Sequence, residues 1–318
     1  MSMQTTEIFS SQLPVGETLS IKRTRFEPLK KRKNLKRISI ISGIHGDELE
    51  GQYAIYLLSS WLNENSQAIN GIIDLYPAVN SLGVDSIVRG FPLYEVDLNR
   101  VFPGGKHEFF PGQIANAFSL DVKGSDIAID IHSSNIFLRE IPQVRISREF
   151  SKDTLPLAKK LNCDFIWIHD AVTVLEATLS HTLNQMGTKT LVVEMGVGMR
   201  VTKHYGEQLL NGMLNLMKEE GILITDQVFE SREAFSSEVG QVFYINSSKA
   251  GLFVPEIDHC AVVEEGDKIG TIVNPLDGKI LDTIYAPSGG ILFTLRAYPV
   301  TYEGSLIARI FGSDNGKN

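Results

Sequence analysis

The chain has 318 residues, about twice the usual domain length, which predicts one large domain or one large domain with a smaller one. Hydrophobic content of 43% and charged content of 21% are those of an ordinary globular enzyme. A net charge of −8 argues against a general nucleic-acid binder, and no apolar run approaches the ~20 residues of a membrane span, so neither nucleic acid nor membrane is expected as a partner.

The start, residues 1–14, is polar and Ser/Thr-rich and offers no secretory signal. Cys163 and Cys260 lie far apart, outside any C-x-x-C pair, so no disulfide scaffold is expected and a cytoplasmic location is the expectation. The composition leaves a homo-oligomer open. Lys30, Lys31, Arg32, Lys33, Lys36 and Arg37 form a basic cluster. It reads as a solvated loop or hairpin rather than an anion-binding patch, because no aromatic residues interleave with it.

From Arg37 the sequence Ile-Ser-Ile-Ile-Ser-Gly predicts a buried strand. Residues 47–62 follow with Leu49, Tyr53, Ala54, Tyr56, Leu57, Leu58 and Trp61 at helical spacing. Further buried strands are predicted at 72–77, 127–131, 165–168 and 190–194, and an amphipathic helix at 203–219. Strands alternating with helices imply an α/β layered domain with a parallel or mixed sheet, whose active-site groups collect at strand ends. From Gln241 onward the pattern changes to short alternating strands and frequent turns, such as Glu265-Gly266-Asp267 and Leu276-Asp277-Gly278. A division into 1–240 and a small all-β module at 241–318 is therefore expected.

Chemistry concentrates in four segments. In Gly43-Ile44-His45-Gly46-Asp47-Glu48, His45 and Glu48 are three apart at a strand-to-helix junction and can face one point. Imidazole and carboxylate both ligate zinc at about 2.0–2.2 Å. Alternatively, His45 caps the helix while Glu48 and Glu50 complement its dipole. Asp130-Ile131-His132 delivers a histidine from an apolar strand, which would complete a His/Glu/His set with one open position, as in a catalytic zinc site. Asp130 then reads as a partner of that histidine or as the polar end of the strand. Asp97-Leu98-Asn99-Arg100 offers a guanidinium fork and an amide for a substrate carboxylate, or a plain turn closed by Asp97 and Asn99. Val192-Val193-Glu194 ends a buried strand with an acid, which is costly unless it is paired or in use.

Together the segments Gly-x-His-Gly-Asp-Glu, Asp-Leu-Asn-Arg-x-Phe-Pro-Gly, Asp-Ile-His and Val-Glu-Met-Gly resemble the signatures of the succinylglutamate desuccinylase/aspartoacylase family, a branch of the zinc carboxypeptidase-like hydrolases. The likeness runs over roughly residues 37–313. It implies a carboxypeptidase-like mixed sheet flanked by helices and one Zn2+ per subunit on His45, Glu48 and His132. It implies Glu194 as general base, Arg89 polarising the scissile carbonyl, and Asn99 and Arg100 binding a small N-acyl substrate. An arginine that the aspartoacylase branch carries shortly before the catalytic Glu is not evident; His181 occupies that region and is a substrate-contact candidate, which argues against an N-acetylaspartate specificity. Residues 251–310 also resemble the barrel-sandwich module of biotinyl and lipoyl domains. Lys279 lacks the flanking methionines of a biotinylated lysine, so the module reads as a cap that narrows access. The expected activity is hydrolysis of a linear N-acyl amide; a metallocarboxypeptidase acting on peptides and a non-catalytic binding protein on the same fold are the alternatives.

Overall fold

A computed structural model describes residues 2–28, 32–169 and 176–313. Two polar strands, β1 (Ser2–Gln12) and β2 (Thr18–Glu27), form an antiparallel hairpin that the composition of the first residues did not suggest. Arg23 and Arg25 on β2 pair with Asp121 and Asp74, which secures this polar hairpin to the body. The α/β layers follow: β3 (Arg37–Ser42), α1 (Glu50–Glu64), β4 (Ile72–Tyr76), α2 (Ser81–Ser86), α3 (Phe110–Val122), β5 (Ile127–Ser133) and β6 (Leu138–Ser147). Next come α4 (Ser151–Ala158), β7 (Phe165–His169), α5 (Leu179–Gln185), β8 (Lys189–Gly196), α6 (Lys203–Glu219) and the two-residue β9 (Phe235–Ser236).

The central sheet runs β1-β2-β4-β3-β5-β8-β6, with β4, β3, β5 and β8 parallel and β6 antiparallel to β8. Such strands are buried on both faces, which is why they read as near-continuous apolar runs. Ile127, Ile129, Ile131, Leu191 and Val193 pack with α1 and α6 on one face. Ala128 packs with α3 and α5 on the other. Alternation along a strand therefore sends Asp130, His132 and Glu194 toward the α3/α5 face. Chain order moves from β3 to β4 on one side and then to β5 on the other, so the carboxyl ends of β3 and β5 flank a switch point where α/β sheets open a crevice.

On α1 the buried face is Ala54, Ile55, Leu58 and Leu62. Tyr56, counted in the apolar stripe from sequence, is 63% exposed, because at ~3.6 residues per turn it stands two residues, about 200°, from the buried Ala54 and Leu58. The last residues supply β10 (Gly240–Asn246), β11 (Gly251–Pro255), β12 (Val262–Val263), β13 (Lys268–Asn274), β14 (Lys279–Tyr285), β15 (Gly290–Arg296), β16 (Val300–Thr301) and β17 (Leu306–Ser313). They divide between two sheets. β11, β13, β14 and β16 form a four-stranded antiparallel sheet, while β15, β17 and β10 continue the large sheet from β6, with β12 beside β15.

Candidate active site

His45 and Glu48 sit in the turn between β3 and α1, made possible by two glycines. Gly43 has φ +68°, and a Cβ on Gly46 would lie 2.0 Å from the carbonyl carbon of Gly83, so only hydrogen fits that approach. Glu48, expected in the first helical turn, stands just before it, since α1 begins at Glu50, whose amide donates to Ser133 Oγ at 3.3 Å. His132 comes from the carboxyl end of β5.

Three ligand atoms, one each from His45, Glu48 and His132, lie within 4.8 Å of one another, and all three residues are buried. His45 Nδ1 is 2.9 Å from Glu48 Oε1, His132 Nδ1 is 2.9 Å from Glu48 Oε2, and the two Nδ1 atoms are 3.2 Å apart. Ligand atoms around a tetrahedral divalent ion stand ~3.3 Å apart at such bond lengths. The outer nitrogens face carboxylates: His45 Nε2 is 2.9 Å from Asp97 Oδ1 and His132 Nε2 is 3.1 Å from Asp130 Oδ2. If each Nε2–H donates outward, both Nδ1 lone pairs and the Glu48 carboxylate converge with no proton among them. A divalent first-row cation would satisfy that set, so these residues fit such a metal.

Electrostatics agree. Burial opposes charge on both rings, yet Glu48 and Asp97 raise the pKa of His45, and Asp130 and Glu48 raise that of His132, above the ordinary 6.5. Burial likewise works against the Glu48 and Asp97 carboxylates, but the imidazoles hold both well below the usual carboxylate range. The site favours positive charge at its centre.

Glu194 pairs in register with His132 across β5 and β8, so both carboxyl and imidazole face the same cavity. Burial pushes the Glu194 carboxyl up, against the opposing pull of Arg145, whose Nη1 donates to Oε1 at 3.2 Å. The cavity of about 670 Å³ lies within the usual range for a small-ligand site. Arg89, Asn99, Arg100 and His181 all line it. Arg89 Nη1 donates to Glu48 Oε1 at 2.6 Å. Asn99 Oδ1 accepts the Leu179 amide at 2.9 Å, leaving the amide NH2 as what it can offer a ligand. Arg100 is exposed, with Nη1 on the Asn99 carbonyl at 2.8 Å. His181, on the first turn of α5, sets its ring against Phe150 at 5.9 Å.

Sequence reasoning missed five lining or supporting groups. Asp97 was read as a turn former; it also accepts Asn99 N–H at 2.8 Å, but its contact with His45 required the fold. Glu140, Arg145, Trp167 and Arg309 complete one wall. β6 carries Pro142 and three charged residues, which hid it as a strand. Lys30 and Lys31 of the basic cluster lie outside the described residues. Lys36 pairs with Glu220 at 2.8 Å and Arg37 with Asp74 at 2.7 Å, so these two cations are used internally. Among the described residues, no helix is long and apolar enough to cross a membrane.

Among solved structures the fold is similar to that of a succinylglutamate desuccinylase/aspartoacylase from Rhodobacter sphaeroides, with TM-score 0.80 and 22% identity, covering 99% of this chain and 96% of that one. It is also similar to the product-bound ectoine utilization protein EutE (DoeB) from Ruegeria pomeroyi, with TM-score 0.80, 18% identity, and coverage of 96% and 93%. An aspartoacylase family protein from Mesorhizobium loti gives TM-score 0.76, 21% identity, and coverage of 98% and 94%. Among curated protein sequences none matches significantly. At these identities the structures speak for the fold, while the family rests on sequence: the profile of the succinylglutamate desuccinylase/aspartoacylase catalytic domain matches residues 34–219. That span is more than half of the chain and carries the turn with His45 and Glu48, the β5 end with His132 and the β8 end with Glu194, so the chain belongs to the succinylglutamate desuccinylase/aspartoacylase family.

Proposed function

We propose that the protein is a zinc-dependent deacylase that hydrolyses the N-acyl amide bond of a small acylated amino acid. The observation that carries this reading is the convergence of His45, Glu48 and His132 within 4.8 Å, beside a carboxylate in register on the next strand. His45, Glu48 and His132 would hold the ion. When bound, zinc supplies Lewis acidity, which polarises a carbonyl and acidifies water. Glu194 accepts the proton of the attacking water and returns it to the leaving amine. Arg89, at the rim beside Glu48, donates to the developing oxyanion, a contact worth ~3 kcal/mol. Asn99 and Arg100 bind the substrate carboxylate and His181 contacts its far end. Residues 1–240 act as the catalytic domain and 241–318 as a β module bordering the cavity.

Charge supports an anionic substrate. Four arginines and three glutamates line the cavity of a chain whose net charge is −8, so the cavity runs against the sign of the molecule. The test is a panel of N-acetyl- and N-succinyl-amino acids with zinc-loaded protein, beside its Glu194→Gln variant and peptides as competitors. Wild-type turnover, with a loss of about 100- to 10,000-fold in the variant at unchanged zinc content, is expected. Retained turnover in Glu194→Gln removes the base, and cleavage of peptides alone reassigns the activity.

A further inference from the structure

One wall of the cavity is built from charged side chains on three strands. Arg309, on β17, donates through Nη1 to Glu140 Oε1 at 2.8 Å. Glu140, on β6, receives Arg145 Nη2 on its other oxygen at 2.8 Å. Arg145, on the same strand, gives Nη1 to Glu194 Oε1 at 3.2 Å. Gln143 adds a further donor to Glu140 Oε2. Both guanidinium groups stack over Trp167, at 5.3 Å for Arg145 and 5.5 Å for Arg309.

We propose that Arg309, Glu140 and Arg145 form a positioning relay through which the C-terminal strands hold Glu194 in its working orientation. The inference rests on Glu194 being the general base. Backbone geometry built the relay. The β6–β8 pairing shifts register between Glu140 and Gln143, so that Glu140, Gln143 and Arg145 all turn to the face of Glu194 despite their odd spacing. Across the next strands Glu140 stands opposite Thr294 of β15, and Thr294 opposite Arg309 of β17, which sets Arg309 two strands from the acid it reaches, with β15 between them. Glu140 retains 3% side-chain exposure and Arg309 16%, so their contact is not a solvated surface pair.

A charged side chain serving only the stability of this wall would not need to end on Glu194. Arg145 engages one carboxylate oxygen of Glu194, which restrains rotation of the group. Removing Arg309 deletes the donor on Glu140 Oε1, so that the carboxylate, held on Oε2 alone by Gln143 and Arg145, turns about that contact, Arg145 shifts with it, and the base loses its fixed oxygen. Small misplacements of a reacting group are costly to rate and hardly change binding. None of the three residues is placed on the substrate, so they are positioning residues.

The test uses the full-length, zinc-loaded protein and the fastest substrate of the N-acyl-amino acid panel. Arg309→Met should lower kcat by about 10- to 100-fold with KM within about twofold, at unchanged zinc content and an intact folded state. Arg309→Lys should recover part of the loss, because an ammonium still reaches Glu140. A kcat within about twofold of wild type in Arg309→Met, or a loss that only follows zinc content, overturns the relay. Should the Met variant not fold, Glu140→Gln reads the same link, with a fallen kcat expected and a wild-type kcat overturning it. Glu194→Gln separates the two readings: if it keeps turnover, the base assignment fails; if it loses turnover while Arg309→Met does not, only the relay fails. A crystal structure of Arg309→Met needs no substrate; displaced Arg145 or Glu194 is expected, and both in their original places would overturn the inference.

Discussion

At the scale of single residues, the metal-ligand cluster depends on what lies behind it. Asp97 and Asp130 each face the outer nitrogen of a histidine, which selects the tautomer that turns Nδ1 toward Glu48. Asp130 reaches its histidine from two positions earlier on the same strand, and Asp97 arrives from a distant loop. Replacing such a partner typically weakens metal binding by about 10- to 100-fold while leaving the ligands in place. Asp130→Asn should therefore retain the fold and bind zinc more weakly by that factor, as measured by competition with a chromogenic chelator. Unchanged affinity would mean that the ring is oriented by packing alone.

At the scale of elements, α6 offers a test of an ion pair through pH. Hydrogen bonds from Lys36 and Lys160 hold the Glu220 carboxyl, at the end of α6, below its ordinary value of 4.5. A depressed carboxylate contributes stability that is fully present above its unfolded pKa and disappears as pH falls through the folded one. Glu220→Gln should thus lower the urea midpoint near pH ~7, by a contribution no larger than ~1 kcal/mol, and the difference from wild type should shrink progressively as pH falls below the ordinary carboxylate value of 4.5. A difference that persists in acid would assign the effect to helix packing instead.

At the scale of the whole molecule, an aromatic seam fastens the last strands to the sheet. Phe293 of β15 and Phe311 of β17 each place a ring 5.0 Å from Phe165 of β7. Phe293 is 1% exposed, so Phe293→Ala should cost about 3–5 kcal/mol, read as a lowered urea midpoint with a single transition. Two transitions would show that the β module unfolds independently. The arginine-rich cavity in an acidic molecule makes the second prediction at this scale. Screening should lower kcat/KM for an anionic substrate as ionic strength rises, with little change in kcat. Salt-independent kcat/KM would remove charge steering from the account.

Much of this was legible in the residues alone. Apolar runs at 37–42, 72–76, 127–131 and 190–194 identified the central strands, because a sheet covered on both faces demands continuous apolar sequence. His45, Glu48 and His132 stood out as a His-x-x-Glu pair and a strand-end histidine that together suit a zinc ligand set, and Glu194 because an acid at the end of a buried strand is expensive without a use. Their arrival in one place, with His45 and His132 at the β3/β5 switch point and Glu194 beside His132, required the sheet order. Arg145, Glu140 and Arg309 were hidden for a different physical reason. Their pairing joins residues up to 169 positions apart through a register shift, and charged residues on a mixed, proline-bearing strand carry no periodic signal of their own. The sequence by itself determined the buried parallel strands and which side chains are chemically unusual, though not the buried, proline-bearing β6; only the tertiary structure decided which of those side chains meet, because long-range register across a sheet is settled by packing between strands and not within any one of them.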